Sequence, residues 1–121
     1  MLFTELKTKA AHLLRGQQAE EQARQFLVDK GLKLVCRNFS CKLGEVDLIM
    51  QDQQTLVFVE VRFRKTDRYG SAAESVTRSK QSRIIAASHY YLATQKLNQP
   101  IRFDVIAISG NGKFEWIPYA F

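Results

Sequence analysis

Two carboxylates, Asp47 and Glu60, interrupt apolar runs that read as β-strands, GEVDLIM over residues 44–50 and TLVFVEVRF over 55–63. Side chains alternate faces along a strand, so Glu45, Asp47 and Ile49 are expected on one face and Val46, Leu48 and Met50 on the other. In the second run Phe58, Glu60 and Arg62 share a face. Val57, Val59 and Val61 form the opposite, wholly apolar face, which must be core. The polar stretch Gln51, Asp52, Gln53 and Gln54 predicts an antiparallel hairpin between the two runs. Any register that sets Asp47 against Phe58 or Glu60 brings both carboxylates to one face. Like charges so placed repel, and they are tolerated when a cation sits between them or when they share a proton. Mg²⁺ takes oxygen ligands of this kind, one or two carboxylates completed by water and phosphate.

A third acid belongs with this pair. Residues 17–30 read as a helix, with Ala19, Ala23, Phe26 and Leu27 at helical spacing and Gly31 as a stop. At 3.6 residues per turn, Glu20 falls within about 20° of Leu27, on the border of the apolar stripe. Glu21 points away, toward water. Asp47, Glu60 and Glu20 would form an acidic cluster in a basic chain, a contrast that suits metal-assisted phosphodiester chemistry. Arg62 offers a different account of the same pattern. It lies on Glu60's face and would neutralise the pair as a salt-bridge cluster. Pattern alone leaves both open.

The elements around these residues follow from periodicity and turn signals. A short helix is expected over residues 2–14, then the helix over 17–30, then strands over 32–37, 45–50 and 55–63. A second long helix runs from about Thr77 to Gln95 with Ile84, Ile85, Ala87, Tyr91 and Leu92 on its apolar stripe and Ser88 on the same face. Thr77 or Ser79 caps it. Strands over 101–108 and 113–118 flank the turn signal Gly110-Asn111-Gly112. The order predicts an α/β fold, a mixed central sheet flanked by helices, in a single domain over residues 1–121 with 1–15 as a peripheral helix. Asp104 interrupts an apolar strand and is expected to pair with Arg102 or a loop donor. His89 is expected in the core, and Phe103, Phe114, Trp116 and Tyr119 in the core or a dimer contact.

Charge is concentrated beside the acids. Between Arg62 and Arg83 the chain has seven basic residues (Arg62, Arg64, Lys65, Arg68, Arg78, Lys80, Arg83) against Asp67 and Glu74. That stretch supplies most of the net +6 left by 18 Lys and Arg against 12 Asp and Glu. A local basic cluster next to carboxylates suits phosphate neutralisation by nucleic acid, with Arg64, Lys65, Arg68, Arg78, Lys80 and Arg83 as the contacts. Tyr69 is expected to pack on the core rather than stack on a base. The chain contains two cysteines, Cys36 and Cys41, too few for a disulfide scaffold and not spaced with His12 or His89 as a zinc site. No signal-like or membrane-spanning apolar run occurs, so a cytoplasmic location and no membrane partner are expected.

The run GEVDLIM…TLVFVEVRFR is similar to the D-(spacer)-E-x-K signature of the PD-(D/E)xK nucleases. More narrowly, the chain resembles the YraN family, bacterial proteins similar to archaeal Holliday-junction resolvases. The residues that carry this run from Gly16-Gln17-Gln18-Ala19-Glu20 through Arg37-Asn38, 44–49, 57–62, Ala73-Glu74-Ser75-Val76 and Lys80-Gln81 to Arg102-Phe103-Asp104-Val105 and Ala120-Phe121. The resemblance implies a restriction-endonuclease-like core and a Mg²⁺ (or Mn²⁺) held by Asp47 and Glu60 with Glu20 completing the metal site. It also implies Glu20, Asp47, Glu60 and Arg62 as the catalytic set, DNA rather than RNA as partner, and a homodimer. Arg62 departs from the pattern, because it stands where the signature has lysine. Arginine cannot serve as a general base, although its fork can hold a phosphate. Lys65 or Lys80 could supply an amine instead. The expected function is nucleic-acid binding with metal-dependent hydrolysis of structured or branched DNA. The alternatives are a non-catalytic nucleic-acid-binding module whose acids Arg62 neutralises, and a self-associating adaptor.

Overall fold

A computed structural model of the chain describes residues 2–64 and 72–121, with side chains from residue 16 onward. The elements run α1 (Leu2–Asp29), β1 (Lys33–Cys41), β2 (Gly44–Asp52), β3 (Thr55–Arg64), a short 3₁₀ turn (Ala73–Ser75), α2 (Arg78–Gln95), β4 (Ile101–Ser109) and β5 (Phe114–Ile117). The five strands lie in one sheet in the order β1-β2-β3-β4-β5. All neighbours are antiparallel except β3 and β4, which are parallel because α2 crosses between them. This mixed sheet, with a helix on each face, is consistent with a restriction-endonuclease-like core.

The two helices expected at the N-terminus run together as one helix through Gly16. A glycine inside a helix costs only about 1 kcal/mol, and no proline interrupts this stretch. Ala19, Ala23 and Leu27, four residues apart, are buried against the valine face of β3, with Leu48, Met50, Val57, Val59 and Ile106 in the same cluster. Small residues on α1 let the helix lie close to the sheet. Phe26 adds to this layer by stacking on Phe114 at 4.8 Å and meeting the edge of Trp116 at 6.3 Å. The helix ends where Gly31, at φ 101°, turns left-handed. The amides of Gly31 and Leu32 then bond back to the carbonyls of Val28 and Leu27, closing the last turn.

The other face of the sheet buries Ile49, Leu56, Phe58 and Val105 against Ile84, Ala87 and Tyr91 of α2. Thr77 caps α2 and accepts the amide of Lys80 at 3.2 Å. Ser88 is buried and its hydroxyl bonds the Ile84 carbonyl at 2.8 Å, which satisfies it without a partner across the interface. His89 is exposed, not core as expected. It falls one position past the buried Ser88, about 100° around the helix, where the stripe has ended.

Asp104, fully buried in β4, lies on the α1 face of the sheet, alternating with Phe103 and Val105 of the α2 face. It accepts from Arg102, from the Trp116 indole at 3.0 Å and from the Tyr119 amide at 3.1 Å, while Arg102 also pairs with Asp52 at 2.8 Å. Every oxygen is used, as a buried charge requires. The chain end follows the same path. The Ala120 amide bonds the Phe103 carbonyl and Phe121 stacks on Phe103 at 5.2 Å. Of the four C-terminal aromatics, Tyr119 alone is largely exposed.

Candidate metal and nucleic-acid site

The β2–β3 register places the two acids. Leu48 with Val59 is the last regular pair of the β2–β3 ladder, and Asp47 and Glu60 stand just beyond it. There the ladder changes character. The amide of Val61 donates not to a backbone carbonyl but to Oδ2 of Asp47, at 2.8 Å. The simple alternation expected for β2 also fails at this point. Val46 packs in the α2-side cluster together with Ile49, while Leu48 lies on the α1 side. The register on the other flank, Arg37 with Leu48 and Phe39 with Val46, brackets Asn38 opposite Asp47. Asn38 has φ 52°, a left-handed conformation that asparagine tolerates better than most residues. This irregularity frees Asp47 from the regular pleat.

Glu60 is 3 % exposed and would be costly alone. Its partner comes from the opposite layer. Nζ of Lys80, in the first turn of α2, lies 2.7 Å from Oε1, whereas the nearest guanidinium nitrogen of Arg62 is 3.8 Å away. Arg62 is therefore the weaker partner of Glu60, and an amine reaches the acids from a helix rather than from the strand position where the nuclease signature carries it. The Thr77 cap fixes the start of α2 and with it the place of Lys80.

Glu20 approaches from α1. The amide of Asn38, in the orientation its neighbours require, donates to both of its carboxylate oxygens at 3.2 and 2.8 Å. The adjacent Glu21 pairs with Arg24 at 2.6 Å and with Arg37 at 2.9 Å, although it stays exposed. The Arg37-Asn38 dipeptide thus ties β1 to the two glutamates of α1, one residue each. This role was invisible in the sequence, although the pair stood out as a motif.

The acids feel one another. Burial pushes the Asp47 carboxyl up to about 8, with the charge of Glu60 and then that of Glu20 adding to the effect, and the Val61 amide and Lys80 opposing it. Glu20 is also raised, by burial first, and by the charges of Glu45 and Glu60, against the Asn38 hydrogen bond and Arg37. Among the described residues no group of three or more His, Cys, Asp or Glu side chains stands arranged to hold a metal. What the fold does bring within electrostatic reach is the pair Asp47 and Glu60, with Glu20 as a further charged neighbour held by Asn38. That pair fits a hard dication. It offers only oxygen, Glu60 is buried and Asp47 half-buried, and the charge of Glu60 disfavours ionisation of Asp47 in the absence of a cation.

The expected phosphate contacts divide. Arg78 and Arg83 are exposed on α2, and Arg64 is half-buried at the end of β3. Lys80 is engaged by Glu60. Lys65 and Arg68, like Tyr69, lie outside the described residues. Lys80 and Arg83 also line a cleft of about 350 Å³ between α2 and the β1–β2 turn, with Ser40, Cys41, Lys42, Leu43, Gly44, Glu45 and Ile84 completing its walls.

Comparison with known proteins places this arrangement among relatives. The sequence model of the uncharacterised protein family UPF0102 matches residues 19–108, a span that includes Glu20, Asp47, Glu60, Arg62 and Lys80. A UPF0102 protein of Saccharophagus degradans is 57 % identical over 114 residues, covering 93 % of this chain and 96 % of the relative. Similar proteins of Hahella chejuensis and Nitrosococcus oceani are 51 % identical over 109 residues and 45 % identical over 117 residues. The matched regions cover 88 % of both chains for the former, and 93 % of this chain and 94 % of the relative for the latter.

Proposed function

The chain belongs to the uncharacterised protein family UPF0102, the YraN family, and from its acidic site we propose that it binds structured or branched DNA and hydrolyses its phosphodiesters with a divalent cation. One observation carries this reading. Two carboxylates on adjacent strands, half-buried Asp47 and buried Glu60, lie beside a basic helix face, and Glu60 meets the Lys80 ammonium at 2.7 Å. Such a set suits phosphoryl chemistry better than stability, because buried ion pairs are weak stabilisers.

Asp47 and Glu60 would hold the cation, which when bound polarises the phosphate and lowers the pKa of a coordinated water. The protein's own groups do the rest. The Val61 amide fixes the orientation of Asp47. Lys80 lies where its ammonium can leave Glu60 for a non-bridging phosphate oxygen. Arg62, on the same strand face, meets the negative charge that develops there with a fork suited to phosphate. Glu20, steadied by Asn38, offers an acceptor for a water proton. In the reaction the water oxygen forms a new bond to phosphorus and one ester P–O bond breaks. One water proton passes to an acceptor and one proton goes to the departing sugar oxygen. Among the described residues no helix is long and apolar enough to cross a membrane. What supports a cytoplasmic place of work is that Cys36 and Cys41 are both free.

Nicking of supercoiled plasmid and cleavage of a four-way junction with Mg²⁺ or Mn²⁺ test the reading, with loss in Asp47→Ala. A wild-type protein inert on every DNA and RNA tried, whose melting temperature ignores Mn²⁺, would overturn it. A second reading, a non-catalytic nucleic-acid-binding module, is favoured by the direct Lys80–Glu60 pair, which neutralises one carboxylate without a metal. It is separated from the first by the outcome in which DNA binding weakens with salt while Mn²⁺ leaves the melting temperature unchanged.

A further inference from the structure

The cleft beside the acids has a composition that the hydrolytic reading leaves unused. Its volume, about 350 Å³, lies at the small end of the range for small-ligand sites, roughly 300–1,000 Å³. Lys42 and Arg83 bring positive charge to it, and Lys80 joins it directly to Glu60. Leu43 and Ile84 give apolar surface, and Leu43 is left exposed, at 51 %. A single carboxylate, Glu45, stands among these groups. The cleft is also preformed. At Gly44 the β1–β2 turn approaches α2 so closely that a Cβ there would lie 2.6 Å from the Arg83 carbonyl oxygen.

We propose that this cleft receives one unpaired nucleotide of the bound strand, next to the phosphodiester at Asp47 and Glu60. The inference rests on the nucleic-acid reading above and adds a substrate feature to it. Cations at the rim suit the sugar-phosphate backbone. The Leu43 and Ile84 surface suits a base face freed from its stack. A pocket of this size takes nucleotides singly, so an intact base pair does not enter, and the favoured partner carries an unpaired end, flap or branch point. Glu45 sets the base preference. A carboxylate accepts from an exocyclic amine, as cytosine presents, and repels the carbonyl edge of thymine.

The test is fluorescence anisotropy on the full chain with EDTA present, so that no cleavage intervenes. The probes are one duplex with blunt ends and the same duplex carrying a short oligo-dC or oligo-dT overhang. The expected wild-type order is dC overhang, then dT overhang, then blunt, with dC over dT by about tenfold. Glu45→Gln should bring the dC-to-dT ratio close to one, and Leu43→Asp should lower the overhang-to-blunt ratio. Both side chains are exposed, and thermal melting confirms that each variant is folded. A wild type that binds blunt and overhang duplexes equally overturns the cleft assignment and leaves the nucleic-acid reading standing. A wild type that binds none of the three overturns both.

Discussion

Replacing Asp47 with asparagine removes a carboxyl whose ionisation the fold opposes and keeps the oxygen that accepts the Val61 amide. The Asp47 carboxyl titrates at about 8 in the folded protein against an ordinary value of 3.8, mainly because it is buried and secondarily because Glu60 is near. The fold therefore binds this proton more tightly than the unfolded chain does. Below about pH 4 the side chain is neutral in both states and costs nothing. As pH rises from there to 8, the unfolded chain loses the proton first and stability falls. At about 1.4 kcal/mol per unit, the ceiling at neutral pH is about 4 kcal/mol. Relaxation of the buried pair lowers that, and a gain of about 2 kcal/mol is expected for Asp47→Asn at pH 7.5 without metal. For a domain of this size it is a rise of about 8 °C in melting temperature. The assay is thermal unfolding followed by circular dichroism in EDTA from pH 4 to 8.5. The gain should shrink to under about 1 kcal/mol at pH 4. With saturating Mn²⁺ the order should reverse, because only the wild type keeps both carboxylates for the cation. An asparagine variant no more stable than wild type at pH 7.5, or equally stabilised at pH 4, would refute the reasoning.

Three other substitutions probe the surroundings of the site. Lys80→Met leaves Glu60 buried with Arg62 at 3.8 Å as the nearest cation, so a loss of about 3 kcal/mol is expected in urea unfolding, and Glu60→Gln added to it should restore most of that. Gly44→Ala forces a methyl against the Arg83 carbonyl at 2.6 Å and should cost about 1–3 kcal/mol, measured the same way. Asp104→Ala strands the Trp116 indole and the Tyr119 amide and leaves Arg102 with Asp52 alone, and a loss of about 3 kcal/mol is expected, with near-ultraviolet circular dichroism of Trp116 changing before global unfolding.

The strands and helices were legible because their patterns are local. The wholly apolar Val57-Val59-Val61 face and the Ala19-Ala23-Leu27 stripe each admit one burial, and the two are found packed together. The antiparallel hairpin followed from the polar turn, and it brought Asp47 and Glu60 to the same end of the β2–β3 ladder. What escaped the sequence depends on contacts across layers. The sequence offered Lys80 beside Lys65 as a source of an amine, but nothing near it in the chain shows that it reaches Glu60, twenty positions earlier and on another element. The parallel crossover from β3 through α2 makes that contact. Nor did the two-residue period of β2 warn that Val46 would leave the face of Leu48. That departure arises where Asn38 on the neighbouring strand takes a left-handed conformation. Glu21, expected to face only water, remains exposed but is claimed by Arg37 from β1. Arg62 drew attention through its position in a motif, while distance gives Glu60 to the lysine.

The most direct measurement is a crystal structure at neutral pH after soaking in Mn²⁺, with anomalous diffraction data. The expected result is a peak bonded to oxygens of both Asp47 and Glu60, with Nζ of Lys80 moved off Glu60. Full-strength soaking that yields no peak there, and leaves Lys80 hydrogen-bonded to Glu60, would contradict the claim that these two acids form a divalent-cation centre.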